Sequence, residues 1–152
     1  YGEFVPEMKS VLKSLGFKAA AAQNSGVMHA HDNYAIPRFP MAGPYVNMGG
    51  FKEKANMKAL RIVEKSPVSS VLAGQNPPTL SVLFDTACVD LRRYNCFISP
   101  GCESNLTNNK MVISAEKPLQ NRRTLYTITA PSKSGNGWHW FSHLWIRPEI
   151  SE

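Results

Sequence analysis

The stretch RRTLYTITAPSKSGNGWHWFSHLWIR, Arg122 to Arg147, decides the fold. Its first half is rich in Thr, Tyr, Ile and Leu and its second half in aromatic residues, and both compositions favour extended backbone. Between them lies Asn136-Gly137, a dipeptide that turns one strand back on another. The stretch therefore reads as a β-hairpin. Its second arm is apolar on both faces, with Trp138, Trp140, Leu144 and Ile146 on one and His139, Phe141, His143 and Trp145 on the other. A strand of that kind suits cover on both sides.

Working outward from the hairpin, ALRIVE (59–64), SSVL (69–72), TLSVLF (79–84), NCFI (95–98) and KMVISAE (110–116) are short apolar runs bounded by Pro, Gly, Asn or Ser. About ten residues per strand is the spacing of an antiparallel meander, sandwich or small barrel. At the other end, Met8, Val11, Leu12 and Leu15 stand at i, i+3, i+4 and i+7 and share one helical face. Pro6 suits the first helical turn and Gly16 the position just past the last. No period survives in residues 18–58, where Gly26, Pro37, Pro40, Gly43, Pro44, Gly49 and Gly50 interrupt the chain. Tyr34, Phe39 and Tyr45 are among the apolar anchors there, and connections this long are uncommon unless functional or held against a partner. The expectation is a single α+β domain. A short amphipathic helix lies in 1–17, an irregular connection in 18–58, and a mainly antiparallel β-rich core, sandwich or meander, in 59–152.

The 152 residues are 43% apolar and 18% charged, the balance of a globular chain. No run of about 18 or more apolar residues exists to span a membrane as a helix. The chain begins at Tyr1 without a methionine or a charged-then-apolar leader, and the expectation is a processed chain or a fragment. A net charge of +6 favours acidic partners, nucleic acid among them, through a basic surface. The densest group, Lys52, Lys54, Lys58, Arg61 and Lys65, is interrupted by Glu53 and Glu64, and no nucleic-acid-binding module accompanies it.

Cys88, Cys96 and Cys102 match no zinc-ligand spacing. In an oxidising compartment two of the three form a disulfide and one stays free; in the cytoplasm all three are thiols. Asn105-Leu106-Thr107 is a glycosylation sequon, read here as part of a polar surface loop beside the cysteines. Together they favour an extracellular, cell-surface or virion location, with the cytoplasmic one left open. His29 and His31 form an HxH pair whose side chains, on a strand, would sit about 6.6 Å apart and could clasp one metal. No third ligand is evident, so no metal site is assigned and no cofactor is expected.

Two sets of residues are the catalytic candidates. The segment GQNPPTLSVLFDTA (74–87) resembles the one that delivers the first catalytic aspartate of pepsin-like proteases, which would make Asp85 that aspartate. Such sites need two aspartates sharing a proton, each followed by a glycine that lets backbone amides approach. Ala87 stands where that glycine belongs and no second Asp-Thr/Ser-Gly follows, so only a dimer could complete the pair. An Asp-initiated turn at the end of a strand accounts for the same residues. Cys96 and His139 have the chain order of papain-like viral proteases, but Pro100 and Gly101 prevent a helix from starting at Cys96 and lowering its thiol pKa. No catalytic residue is assigned.

YGEFVPEMKSVLKSLGF (1–17) resembles the tyrosine-to-LGF stretch that follows the long helix of some bacterial type IV pilins. That resemblance implies a β-sheet head with a disulfide and a role in assembly. The functional expectation is a non-enzymatic structural or recognition subunit, pilin-like or virion-like, that packs against copies of itself or other protein subunits. Trp138, Trp140, Phe141, Trp145, Tyr34, Phe39 and Tyr45 are the interface candidates, since aromatic residues dominate interface anchors. The alternatives are a small protease using Cys96 and His139, a dimeric one using Asp85, or a nucleic-acid-binding module.

Overall fold

A computed structural model describes residues 2–28 and 32–151. Its architecture is α+β, with two four-stranded sheets stacked as a sandwich and two short helices preceding the strands. The long hairpin forms as its sequence indicates. Strands β7 (Arg123–Pro131) and β8 (Trp138–Ile146) pair antiparallel from Arg123↔Ile146 to Pro131↔Trp138. The connection is wider than a two-residue Asn-Gly turn: it spans residues 132–137, with Gly135 (φ 73°) and Gly137 (φ 88°) left-handed, and the Ser132 N–H donates to the Gly137 carbonyl at 3.0 Å. β4 (Asn95–Phe97) joins the β7 side and β1 (Lys58–Ala59) runs parallel to β8 on the other, in the order β1-β8-β7-β4.

The second sheet has the order β2-β3-β6-β5, formed by Ile62–Ser66, Leu80–Phe84, Lys110–Ala115 and Cys102–Thr107, all antiparallel. Three details differ from the sequence reading. The run ALRIVE is split between the two sheets: Ala59 ends β1, Ile62 begins β2, and buried Leu60 fills the crossing. SSVL makes only a bridge, Val71 to Ile146. CESNLT, read as a loop, is edge strand β5, and its alternation holds Cys102, Ser104 and Leu106 inward and Glu103, Asn105 and Thr107 outward. The β5–β6 turn needs only Asn108 and Asn109, with Asn108 at φ 58°, a conformation asparagine tolerates better than most residues.

Period-2 alternation builds the core. Leu80, Val82 and Phe84 of β3 and Met111, Ile113 and Ala115 of β6 face Tyr126, Ile128 and Ala130 of β7 and Phe141 and Trp145 of β8. The Tyr126 hydroxyl is the polar stitch between the sheets. It accepts the Ala115 N–H at 3.1 Å and donates to the Pro78 carbonyl at 3.0 Å, so a buried oxygen has both roles satisfied. The Cys96–Cys102 disulfide joins edge strand β4 of one sheet to edge strand β5 of the other, with Cα atoms 6.1 Å apart. It closes that side of the sandwich.

The connection in 18–58 is less irregular than its sequence suggests. Helix α2 (Met48–Ala55) forms there, capped by the Asn47 side chain accepting the Gly50 N–H at 2.6 Å; Gly49 and Gly50 in its first turn hide it from propensity. Upstream, Ala20 and Ala22 exchange backbone bonds with Asn33 and Ile36. The Ser142 hydroxyl donates to the Ser25 carbonyl, and the Phe39 ring meets Trp140 edge-on at 5.3 Å. The connection thus covers the outer face of β8. Helix α1 (Pro6–Ser14) has Pro6 at its start and ends in a Schellman motif, in which the Phe17 N–H reaches the Leu12 carbonyl and Gly16, at φ 82°, reaches that of Lys13. Ahead of the helix, Glu3 ties the start of the chain to the sandwich through Arg122, whose guanidinium pairs with the carboxylate at 2.7 Å and also donates to the Pro148 and Ile150 carbonyls. That hydrogen-bonded guanidinium keeps the Glu3 carboxyl below its ordinary pKa.

Candidate functional site

Two of the sequence candidates line one cleft. Asp85, where the chain leaves β3, and His139 on β8 both line a cleft of about 760 Å³, together with Cys88, Lys58, Arg61 and Lys133. The Asp85 carboxylate accepts the Ala87 N–H at 3.0 Å, the Asp-initiated turn that its sequence allows. Among the described residues lining the cleft, Asp85 is the one carboxylate, so this copy holds no aspartate pair. His139 is buried, and its Nδ1 donates to the Ala59 carbonyl at 2.9 Å. A carbonyl only accepts, so Nδ1 carries the proton of that bond, and Nε2 is buried without a hydrogen-bond partner among the described residues. Cys88 is the exposed free thiol.

Cys96 does not join them. Its sulfur is bonded to Cys102, so it has no thiolate to pair with His139, and the cysteine-protease reading is corrected on that ground. Among the described residues no group of three potential ligands forms a metal site; His29 and His31 lie outside those residues. Asn105 and Thr107 stand on the exposed face of edge strand β5, so the sequon is on a strand and not in a loop.

The basic run from Lys52 to Lys65 is dispersed by the fold. Lys54 lies 4.5 Å from the centroid of the Trp140 ring, and Lys58 and Arg61 turn into the cleft. Lys65 turns inward and is half-buried. A bulge between Ile62 and Glu64 breaks the alternation of β2, leaving Val63 and Glu64 outside and Lys65 inside. Its ammonium donates to His143 Nδ1 at 3.1 Å. His143 is 1% exposed and packs edge-on against Trp145 at 4.5 Å between centroids. Burial, and then the Lys65 charge, push its pKa down to about 3. Burial and then Lys9 lower that of Lys65. No sequence signal marks this pair, because strict alternation places Lys65 in solvent.

The aromatic interface candidates divide by strand face. Phe141 and Trp145 point between the sheets, where they pack on Phe84 and Tyr126; alternate residues of a central strand face the core, and these two offer no interface as the fold stands. Trp140 is half-buried under Lys54 and Phe39, Tyr34 donates its hydroxyl to the Phe17 carbonyl at 2.9 Å, and Trp138 and Tyr45 are exposed. Further exposed apolar side chains lie on and beside the two helices. Met8, Val11 and Leu15 are 46%, 55% and 68% exposed, and α1 buries none of its residues. Phe17 and, around α2, Val46, Met48 and Phe51 are exposed as well.

No protein-family model matches the chain, and no curated protein or solved structure shows significant similarity to it.

Proposed function

We propose that this chain is a non-enzymatic assembly subunit that uses the apolar face of α1 to pack against a second copy or another subunit of a larger complex. The observation that carries the reading is the stripe Met8, Val11 and Leu15, amphipathic by sequence yet turned to solvent. A helix of nine residues is shorter than the about 12–15 that hold in water without tertiary support, and an apolar face normally supplies that support. Here Leu12 is half-buried but Met8, Val11 and Leu15 are left to solvent, and a partner that covers them gains apolar burial at about 25 cal/mol per Å². The exposed side chains around α2, together with Trp138 and Tyr45, offer further contact surface.

The pilin-like version of this reading rests on the tyrosine-to-LGF resemblance of residues 1–17. A short helix leading into a disulfide-bearing β-sheet head agrees with it. The disulfide in this chain lies at residues 96 and 102, well inside the C-terminal end.

Native mass by light scattering over a range of concentrations tests the proposal, with Val11→Lys/Leu15→Lys as the comparison. Assemblies above the 16.9 kDa of one chain that dissociate in the double variant are the expected result. A wild-type chain that stays monomeric at every concentration removes self-assembly. A variant that assembles like the wild type removes α1 as the contact.

A further inference from the structure

A cavity of about 310 Å³ lies between α1, the segment following it and the sandwich, at the small end of the range of ligand pockets. Phe4, Ile62 and Val68 contribute apolar wall, and Trp140 and Phe141 extend it from β8. Into this surface the fold brings two amines and a carboxylate: Lys9 from α1, Lys65 from β2, and Asp32. Lys9 and Asp32 pair at 2.5 Å. Lys65 has three protons to donate, and among the described residues its recorded acceptor is His143 Nδ1. Asn24 and Trp140, also in the wall, each carry a buried atom, Oδ1 and Nε1, with no hydrogen-bond partner among the described residues. Unpaired buried polar atoms are uncommon in native proteins, and two in one wall mark where the protein's own hydrogen bonding is incomplete.

These groups select the chemistry of an occupant. A purely apolar molecule leaves the Lys65 ammonium without a further acceptor. A simple amine meets two like charges against one carboxylate, and leaves Lys65 without an acceptor. A carboxylate answers Lys65 and relieves the repulsion between it and Lys9, and a donor elsewhere on the same molecule meets Asp32 or Asn24 Oδ1. We propose that this cavity binds a small zwitterion with an apolar body, the chemistry of an apolar α-amino acid, with its carboxylate toward Lys65 and its ammonium toward Asp32.

The test is titration of the full chain with leucine and with phenylalanine, followed by ¹H–¹⁵N NMR at the Trp140 indole and by calorimetry, with hexanoate as the carboxylate that lacks the ammonium. Saturable binding of the amino acids is expected, with hexanoate weaker. Lys65→Met is expected to lower affinity about tenfold or more, the worth of one charge-assisted hydrogen bond. Asp32→Asn, at a half-exposed position outside the core, is expected to weaken the amino acids without weakening hexanoate, since it removes the carboxylate and leaves Lys9 without its partner; it keeps the idea testable if Lys65→Met fails to fold. No saturable change with either amino acid overturns the proposal. Hexanoate binding as tightly as leucine, or wild-type affinity in a folded Lys65→Met or Asp32→Asn protein, overturns it as well.

Discussion

Lowering the pH from 7 to 5 tests the pairing of buried His143 with half-buried Lys65. The folded protein holds His143 neutral, with a pKa of about 3, while the unfolded chain titrates near the ordinary value of 6.5. The unfolded state therefore binds more protons between those values. The stabilisation is fully present above pH about 6.5 and is lost progressively as pH falls toward 3. At pH 5 the unfolded imidazole lies about 1.5 pH units below its pKa, which costs the fold about 2 kcal/mol relative to pH 7. A domain of this size is stable by only ~5–15 kcal/mol, so the loss is readily measured. Glu3, Asp90 and Glu149, whose pKa values lie below the ordinary carboxylate range, contribute mainly at lower pH than this window. Urea unfolding at the two pH values, followed by tryptophan fluorescence, reads the effect, because Trp145 packs directly on His143. His143→Asn keeps an acceptor near the place of Nδ1 but does not titrate. It is expected to be less stable at both pH values and to lose most of the wild-type dependence between them. A wild-type protein equally stable at pH 5 and 7, or a His143→Asn protein with the same dependence, refutes the argument.

Other consequences follow from the sandwich itself. Tyr126→Phe keeps the ring and its packing but strands the Ala115 N–H and the Pro78 carbonyl in the core, and is expected to cost about 1–3 kcal/mol of unfolding free energy by denaturant titration. A cost near zero would show that neither group depends on the hydroxyl. The disulfide closes a loop with a sequence separation of 6, for which chain-entropy arguments give roughly 2 kcal/mol. Cys96→Ser/Cys102→Ser is expected to lower the denaturant midpoint accordingly, while Cys88→Ser leaves it unchanged. Free-thiol counting in the unreduced, denatured protein should find Cys88 alone; more than one reactive thiol per chain contradicts the pairing.

The sequence by itself determined the parts of this protein that rest on local periodicity. The hairpin of β7 and β8, the strands at 80–84 and 110–115, and α1 each bury or display a face whose spacing can be read from neighbouring residues. Local signals also covered the Asp85 turn and limited the disulfide to two of three cysteines, because an aspartate beside a free N–H and a cysteine count need no tertiary information. Three-dimensional packing decided the rest. ALRIVE is apolar throughout, so nothing local says that it leaves one sheet at Ala59 and enters the other at Ile62. Edge strand β5 buries only one face, and its polar residues made it look like a loop. A bulge of one residue reversed Lys65 and placed it against a histidine 78 positions away, creating a pair that neither residue announces. The fate of α1 is the clearest case. Spacing dictates which residues share its face, but whether that face meets the core or the solvent depends on where the rest of the chain has already packed. Here the sandwich completes its core from its own strands and the connections between them, and Met8, Val11 and Leu15 remain outside.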